Sequence, residues 1–324
     1  MHREKIENKF ILLLLKGFLR VSVVRLQDLG TIKLLYVAHR MFENKNMVEM
    51  HDEEFLLIRD FIYDHCGLFF ETDSKYLLEK RLSGRIALHQ ISSYRDYYLY
   101  LKYDRLRDEE LSTVLDLLTT NETYFFREGY QLKAFTEEIV PEITGRKREK
   151  VLRIWSAGCS TGEEPYTIAM MLVDLMKNGV LNGWHIEILG SDISQRVLGV
   201  ARKGAYSPSS FRETDKRYMS YFEEDDGKKR IKDEVRKLVT FTHLNLLDSS
   251  KISLLKTMDV IFCRNVIIYF DIKAKKRVMQ EFYDRLDKGG YLLLGHSESL
   301  MNISALFDLK HLKNDMVYQK PFAV

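Results

Sequence analysis

The feature that most restricts the fold is the run from Val151 to Tyr166, V-L-R-I-W-S-A-G-C-S-T-G-E-E-P-Y. Its opening residues have the β-branched and aromatic content of a strand. Gly158 and Gly162 bound a tight loop, and Glu163-Glu164-Pro165 suits a helix first turn, where acids meet the dipole and proline is tolerated. Strand, glycine loop and helix in that order let a ligand approach the backbone and the positive end of a helix. In dinucleotide enzymes that place holds a pyrophosphate. Glu163 and Glu164 would repel one and favour a nucleoside ligand that carries a cation. S-adenosylmethionine, with a sulfonium and an amino group, is such a ligand.

The rest of the chain supplies two kinds of pattern. Asp52 to His65 has apolar residues at helical spacing and stops at Gly67. A second helix, capped by Thr72 or Asp73, is predicted through about Gln90. A third, capped by Ser92, is predicted to Tyr103, and a fourth over Arg107 to Thr119. From Val151 the pattern alternates strand and helix, which predicts a parallel sheet with right-handed crossovers. Strands are expected at 151–156, 185–190, 238–242, 258–263 and 290–295, with a last antiparallel pair near 307–311 and 316–320. Helices are expected at 164–177, 194–202 and 271–287. The charged stretch Tyr218 to Lys237 interrupts the alternation and reads as an antiparallel insertion turning at Asp226-Gly227.

The domain reading is a helical unit over 50–130 and an α/β unit over 131–324, with a small β-subdomain at about 205–240. A chain of 324 residues is long enough for both. A net charge of +3 is too small to imply nucleic acid. Three scattered cysteines, Cys66, Cys159 and Cys263, argue for a reducing compartment and against a disulfide framework or a zinc site. Residues 1–49 form a basic extension, with nine Lys/Arg against four Asp/Glu up to Lys45. Its apolar run, Phe10 to Leu15, is too short and too charged to span a membrane. The extension reads as a signal peptide without a small-residue cleavage site, a membrane-surface helix, or a segment of no functional importance.

Ligands of open α/β sheets bind at the carboxyl ends of strands. Gly158 and Gly162 end the first strand, Asp192 follows the second, Asn245 and Leu246 the third, and Arg264 and Asn265 the fourth. An acid after the second strand commonly holds ribose hydroxyls. Each residue has a plainer reading. Glu163 and Glu164 make a good helix start, and Asp192 is placed to cap the next helix. Their coincidence at successive strand ends carries the functional case. The junction Thr119 to Glu128 places Asn121, Thr123 and Arg127 among aromatic residues, where an arginine suits the orientation of a carboxylate.

These motifs resemble the CheR-type chemotaxis receptor glutamate O-methyltransferases. The likeness spans about residues 50–320. It rests on N-E-T-Y-F-F-R (121–127), S-T-G-E-E-P-Y (160–166), S-D-I (191–193), N-L-L (245–247), F-C-R-N-V-I-I-Y-F (262–270) and G-H-S-E (295–298). The resemblance implies a helical domain on a Rossmann-like methyltransferase domain. It implies S-adenosyl-L-methionine as methyl donor, S-adenosyl-L-homocysteine as product, and receptor glutamates as acceptors. Asn121, Thr123, Arg127, Gly158, one of Glu163 and Glu164 with the balance toward Glu164, Asp192, Asn245, Leu246, Arg264 and Asn265 are expected at the cofactor. Arg127 and Tyr269 are expected at the reaction centre, whereas His296 reads as structural.

The same resemblance implies a cytoplasmic enzyme recruited to receptor arrays, with the receptors' methylation helices as partner. It implies neither nucleic acid nor direct membrane insertion. Arg81 and Arg85, one turn apart on the second helix, are the expected docking pair, opposed by the reading of a solvated face. The short, glycine-poor insertion predicts that no receptor tail peptide is needed as a tether. No metal is expected. Two other classes stay open at this point, a nicotinamide-dependent oxidoreductase and a non-catalytic scaffold.

Overall fold

The computed structural model describes residues 48–119 and 121–322. The apolar stripe Phe55, Ile58, Ile62 and Cys66 is the buried face of α1 (Asp52–Cys66). Three more helices complete the unit: α2 (Lys75–Leu88), α3 (Tyr94–Tyr103) and α4 (Arg107–Leu118). Leu78, Leu82, Tyr94, Tyr97 and Val114 close its core. Each such side chain taken out of water contributes about 1.5–3 kcal/mol. The cap of α3 is Ser93, one residue beyond the expected Ser92; its Oγ accepts from Asp96 N at 3.0 Å.

A buried carboxylate ties the unit together. Glu110 on α4 accepts from Arg85 Nε at 2.9 Å, and its other partners are Arg85 Nη2, the Tyr97 hydroxyl and His89 Nε2. Burial works against its ionisation, but the guanidinium, the phenol and the imidazole outweigh that and hold it at about 2. A depressed carboxylate contributes stability above its ordinary 4.5 and loses it as pH falls toward the folded value. The helical signal of the wild type minus that of Glu110→Gln should therefore shrink between about pH 4.5 and pH 2. A pH-independent difference would remove this role from Glu110.

This network revises the expectation for the arginine pair. Arg85 is committed to Glu110, and Arg81 Nη1 donates to the Leu118 carbonyl at the end of α4. Both guanidinium groups therefore have partners inside the unit.

A helical stretch missing from the expected elements leads into the sheet. It consists of α5 (Gly129–Ala134), a wide turn over Phe135–Ile139, and α6 (Val140–Arg146). Pro141 has no N–H and its ring crowds the carbonyl four residues back, so the helix widens just before it. Leu132, Phe135, Ile139, Val140 and Ile143 point into the core beneath.

The strands of the main sheet are β1 (Val151–Ala157), β2 (His185–Asp192), β6 (Val239–His243), β7 (Met258–Cys263), β8 (Leu286–Leu294), β9 (Asp308–His311) and β10 (Met316–Gln319). Their order across it is β6-β2-β1-β7-β8-β10-β9. The first five are mutually parallel, and the last two add antiparallel. The connecting helices α7 (Glu163–Lys177), α8 (Gln195–Lys203) and α11 (Ile272–Arg285) cover it, with short α10 (Ser249–Ile252) between β6 and β7. From β1 the chain proceeds through β2 to β6, then returns to β7 on the other side of β1. The switch point lies between β1 and β7, where a ligand crevice forms.

The insertion is a separate three-stranded sheet of β3 (Ala205–Tyr206), β5 (Lys228–Ile231) and β4 (Phe222–Asp225), followed by short α9 (Asp233–Arg236). Asp226 and Gly227 both have positive φ, the backbone a two-residue hairpin requires. Phe125 anchors the insertion to the main body. It is fully buried, and its ring contacts those of Tyr206, Phe211 and Phe222 at 4.9–5.2 Å.

Candidate active site

The carboxyl ends of β1, β2, β6 and β7 open into one crevice, enclosing about 1050 Å³ with the solvent at its mouth included. The first wall is the glycine loop. Gly158 has φ +78, and a Cβ there would lie 2.4 Å from Val266 Cγ2, so only glycine lets the two loops meet. Gly158 N and Cys159 N donate to the Ser191 carbonyl at 2.8 and 2.9 Å, which locks the loop onto the end of β2.

The adjacent carboxylates part company here. Glu164 lines the crevice; its Oε1 accepts from Ser156 Oγ at 2.7 Å and its Oε2 lies 3.2 Å from Arg264 Nη1. Glu163 turns away from it, accepting from Thr161 Oγ1 at 2.6 Å and from Ser210 Oγ at 3.0 Å. Its expected cofactor contact is thus corrected: successive residues of a helix point about 100° apart, and only one can face the crevice. Burial pushes the carboxyl groups of both upward, and Arg264 opposes that for Glu164.

Arg264 is 8% exposed and carries the opposite wall. It spans Glu164 and Glu128, the latter at 3.3 Å, and its Nη2 donates to the Arg127 carbonyl. The buried group therefore joins β7, α7 and the junction segment. Asp192 accepts from Ser160 N at 2.8 Å and Ser194 N at 2.9 Å. Burial pushes its carboxyl up, against those backbone bonds. It lines the crevice and braces Ser194, but the cap of α8 is Ser194 itself, whose Oγ accepts from Val197 N at 3.2 Å, and not Asp192 as expected.

The helical unit closes the crevice from outside. Asn245 Nδ2 donates to the His65 carbonyl at 2.6 Å, Tyr63 OH to Asp271 at 3.1 Å, and Phe69 N to the Tyr269 carbonyl at 3.0 Å. The C-terminal end of α1 thus sits against the loops after β6 and β7, and Cys66 and Leu68 become lining residues with Leu246. Asn121, Thr123, Arg127, Asn265 and Tyr269 line it as well. Asn121 Nδ2 donates to Thr119 Oγ1, and its carbonyl accepts from Ser160 Oγ, both at 3.1 Å. His296 lies outside the lining, 3.5 Å from Asp315.

Sequence reasoning assigned no role to Glu128 and Glu298. Glu128 directly follows Arg127, and Glu298 ends the G-H-S-E motif. Glu298 accepts from the backbone N–H groups of Gly295, Asn265, Val266 and Ile268. It holds the loop that presents Arg264, Asn265 and Tyr269. Strain concentrates here too. Of seven non-glycine residues with positive φ among the described residues, Phe126, Glu128, Ser160 and Asn265 border or brace this crevice.

Two family profiles cover this architecture. "CheR methyltransferase, SAM binding domain" matches residues 121–315 and "CheR methyltransferase, all-alpha domain" matches residues 53–119. The chain belongs to the CheR methyltransferase family. It is 39% identical over 278 residues to chemotaxis protein methyltransferase 2 of Vibrio cholerae, covering 85% of this chain and 96% of the relative. It is 36% identical over 281 residues to a chemotaxis protein methyltransferase of Borreliella burgdorferi, covering 84% and 97%. The chain is thus an S-adenosylmethionine-dependent methyltransferase with a CheR all-helical domain ahead of a Rossmann-like domain. The family match sets aside the nicotinamide reading.

The crevice suits that cofactor. Among its acids, Glu164 and Asp192 suit a cationic ligand with donor hydroxyls, and the apolar side chains of Ile193, Leu244, Leu246 and Val266 suit an adenine. Asn265 Oδ1 is buried without a donor among the described residues, as expected of an acceptor reserved for a ligand N–H or O–H. No cluster of metal-ligating side chains occurs among the described residues. Burial pushes the Cys66 thiol up to about 12 and raises Cys159 as well, so neither lining cysteine is a thiolate at neutral pH. No helix among the described residues is long and apolar enough to cross a membrane, and residues 1–47 of the basic extension lie outside them.

Proposed function

We propose that the protein methylates glutamate side chains of methyl-accepting chemotaxis receptors, forming glutamyl methyl esters for sensory adaptation. One observation carries this reading: among the described residues, no uncommitted general base lines the crevice. Among the described residues it is lined by no histidine or lysine, and its three acids are committed, Glu164 to Ser156 and Arg264, Asp192 to two backbone N–H groups, and Glu122 at the mouth to Arg212. An acceptor that must lose a proton finds no partner there. A glutamate carboxylate, already ionised at neutral pH, needs none. The bound cofactor supplies an electrophilic methyl group on a sulfonium.

The residues of the chain then act by placement. Arg127 lines the mouth with Nη1 on the Glu122 carbonyl at 3.1 Å, a guanidinium positioned to orient an incoming carboxylate. Held less tightly than a buried ion pair, it leaves the attacking oxygen nucleophilic. Tyr269 sits on a turn fixed by Glu298 and orients donor or acceptor. With strands of two and four residues, the insertion is small, and the reading that no receptor tail tether is needed stands beside this one. Specific binding of a receptor tail peptide would overturn that second point.

The main test is incubation of the enzyme with methyl-labelled S-adenosylmethionine and a receptor cytoplasmic fragment. Label that alkali releases as methanol is expected. Alkali-stable label, as on an amine, or none at all, contradicts the proposal.

A further inference from the structure

Arg212 is a cation at the crevice mouth that neither the sequence motifs nor the cofactor site uses. It follows the turn Pro208–Phe211 of the insertion. That turn is pinned to the main body: Phe125 N donates to the Ser210 carbonyl at 2.9 Å, and Phe211 stacks on Phe125 at 5.2 Å. From this base the Arg212 guanidinium lies over the Tyr124 ring at 3.7 Å. Arg127 approaches the same ring at 5.8 Å. Tyr124, Arg127 and Glu122 all line the crevice.

Glu122 holds both cations. Its carbonyl accepts from Arg127, and its carboxylate accepts from Arg212 Nη2 at 2.8 Å. The carboxylate is 68% exposed and Arg212 48% exposed, so the pair faces solvent where an acceptor must enter. A glutamate carboxylate paired with an arginine is also what a glutamate acceptor would present.

We propose that Arg212 selects acidic acceptors at the mouth and that Glu122 occupies it as an internal placeholder, which the acceptor carboxylate displaces. The inference rests on the carboxylate acceptor proposed above. It assigns opposite effects to the two partners of one ion pair. A pair that only supported the fold would give the same sign for both.

The test uses the full-length enzyme, labelled S-adenosylmethionine and the receptor cytoplasmic fragment. Arg212→Gln should raise KM for the fragment about tenfold, the scale of one charge-assisted hydrogen bond, with kcat little changed. Its affinity for S-adenosylhomocysteine, measured by calorimetry, should equal that of the wild type and report an intact fold. Glu122→Gln should lower the fragment's KM several-fold, and the double variant should behave as Arg212→Gln alone. An unchanged KM in Arg212→Gln, or KM shifts of the same sign in the two single variants, would overturn the inference while leaving ester formation by the wild type intact. Absence of any alkali-labile ester with the wild type would overturn both readings.

Discussion

Replacing Arg264 with alanine is expected to lower stability by about 3–5 kcal/mol, the usual cost of removing one partner from a buried charge cluster. The side chain is 3% exposed, and its guanidinium lies between Glu128 and Glu164. Without it the Glu128 and Glu164 carboxylates lose the cation they share, and Ser156 is left as the side-chain donor to Glu164. The junction segment also loses the donor to the Arg127 carbonyl. Lysine should not rescue, because a point charge cannot reach three acceptors laid out for a planar fork. Glu164→Gln in the alanine background should recover part of the loss by removing one stranded charge. Denaturant unfolding of the three variants measures this directly. Equal stability of the wild type and Arg264→Ala would show that the cluster is solvated and that the wall has another origin.

This cluster also shows what a sequence discloses and what it withholds. The strand ends were legible because polar residues after apolar runs fall at the carboxyl edge of a parallel sheet. The hairpin at Asp226-Gly227 was legible because two successive positive φ values need such residues. The wide-turned helix before β1 was not, although Leu132, Phe135, Ile139 and Ile143 are spaced for one; Pro141 and the aromatic junction obscure the period. Long-range pairing was also illegible. Nothing local in Arg85 indicates Glu110, 25 residues away, so the sequence shows two arginines on one helix face and not the part-buried ion pair that engages one of them. Nor does the doublet Glu163-Glu164 say which member turns inward, since that depends on Ser210 and Arg264 arriving from distant segments.

Glu298 is the second residue whose change should be large, and the order of its variants is the informative part. Each of its oxygens serves two donors: Oε2 takes Gly295 N and Asn265 N, both at 2.8 Å, and Oε1 takes Val266 N at 2.9 Å and Ile268 N at 3.2 Å. Glutamine keeps the shape but must turn an amide NH₂ toward one pair of N–H groups. Two donors are then left facing a third, at about 1–3 kcal/mol for each backbone group without an acceptor. Alanine leaves space that water can enter from the partly exposed side, so Glu298→Ala should be the milder change although it removes more atoms. Both should loosen the loop that sets Asn265 at φ +59 and presents Tyr269. Calorimetric affinity for S-adenosylhomocysteine should fall by at least about tenfold in Glu298→Gln, because a lining loop that must be reordered charges its ordering free energy to binding. Aspartate, one methylene shorter, should fall between the wild type and glutamine by reaching one pair of donors. Should glutamine match the wild type in both affinity and unfolding midpoint, the four N–H groups do not depend on this carboxylate, and the position of Tyr269 must be held from the Phe69 side, through its own carbonyl.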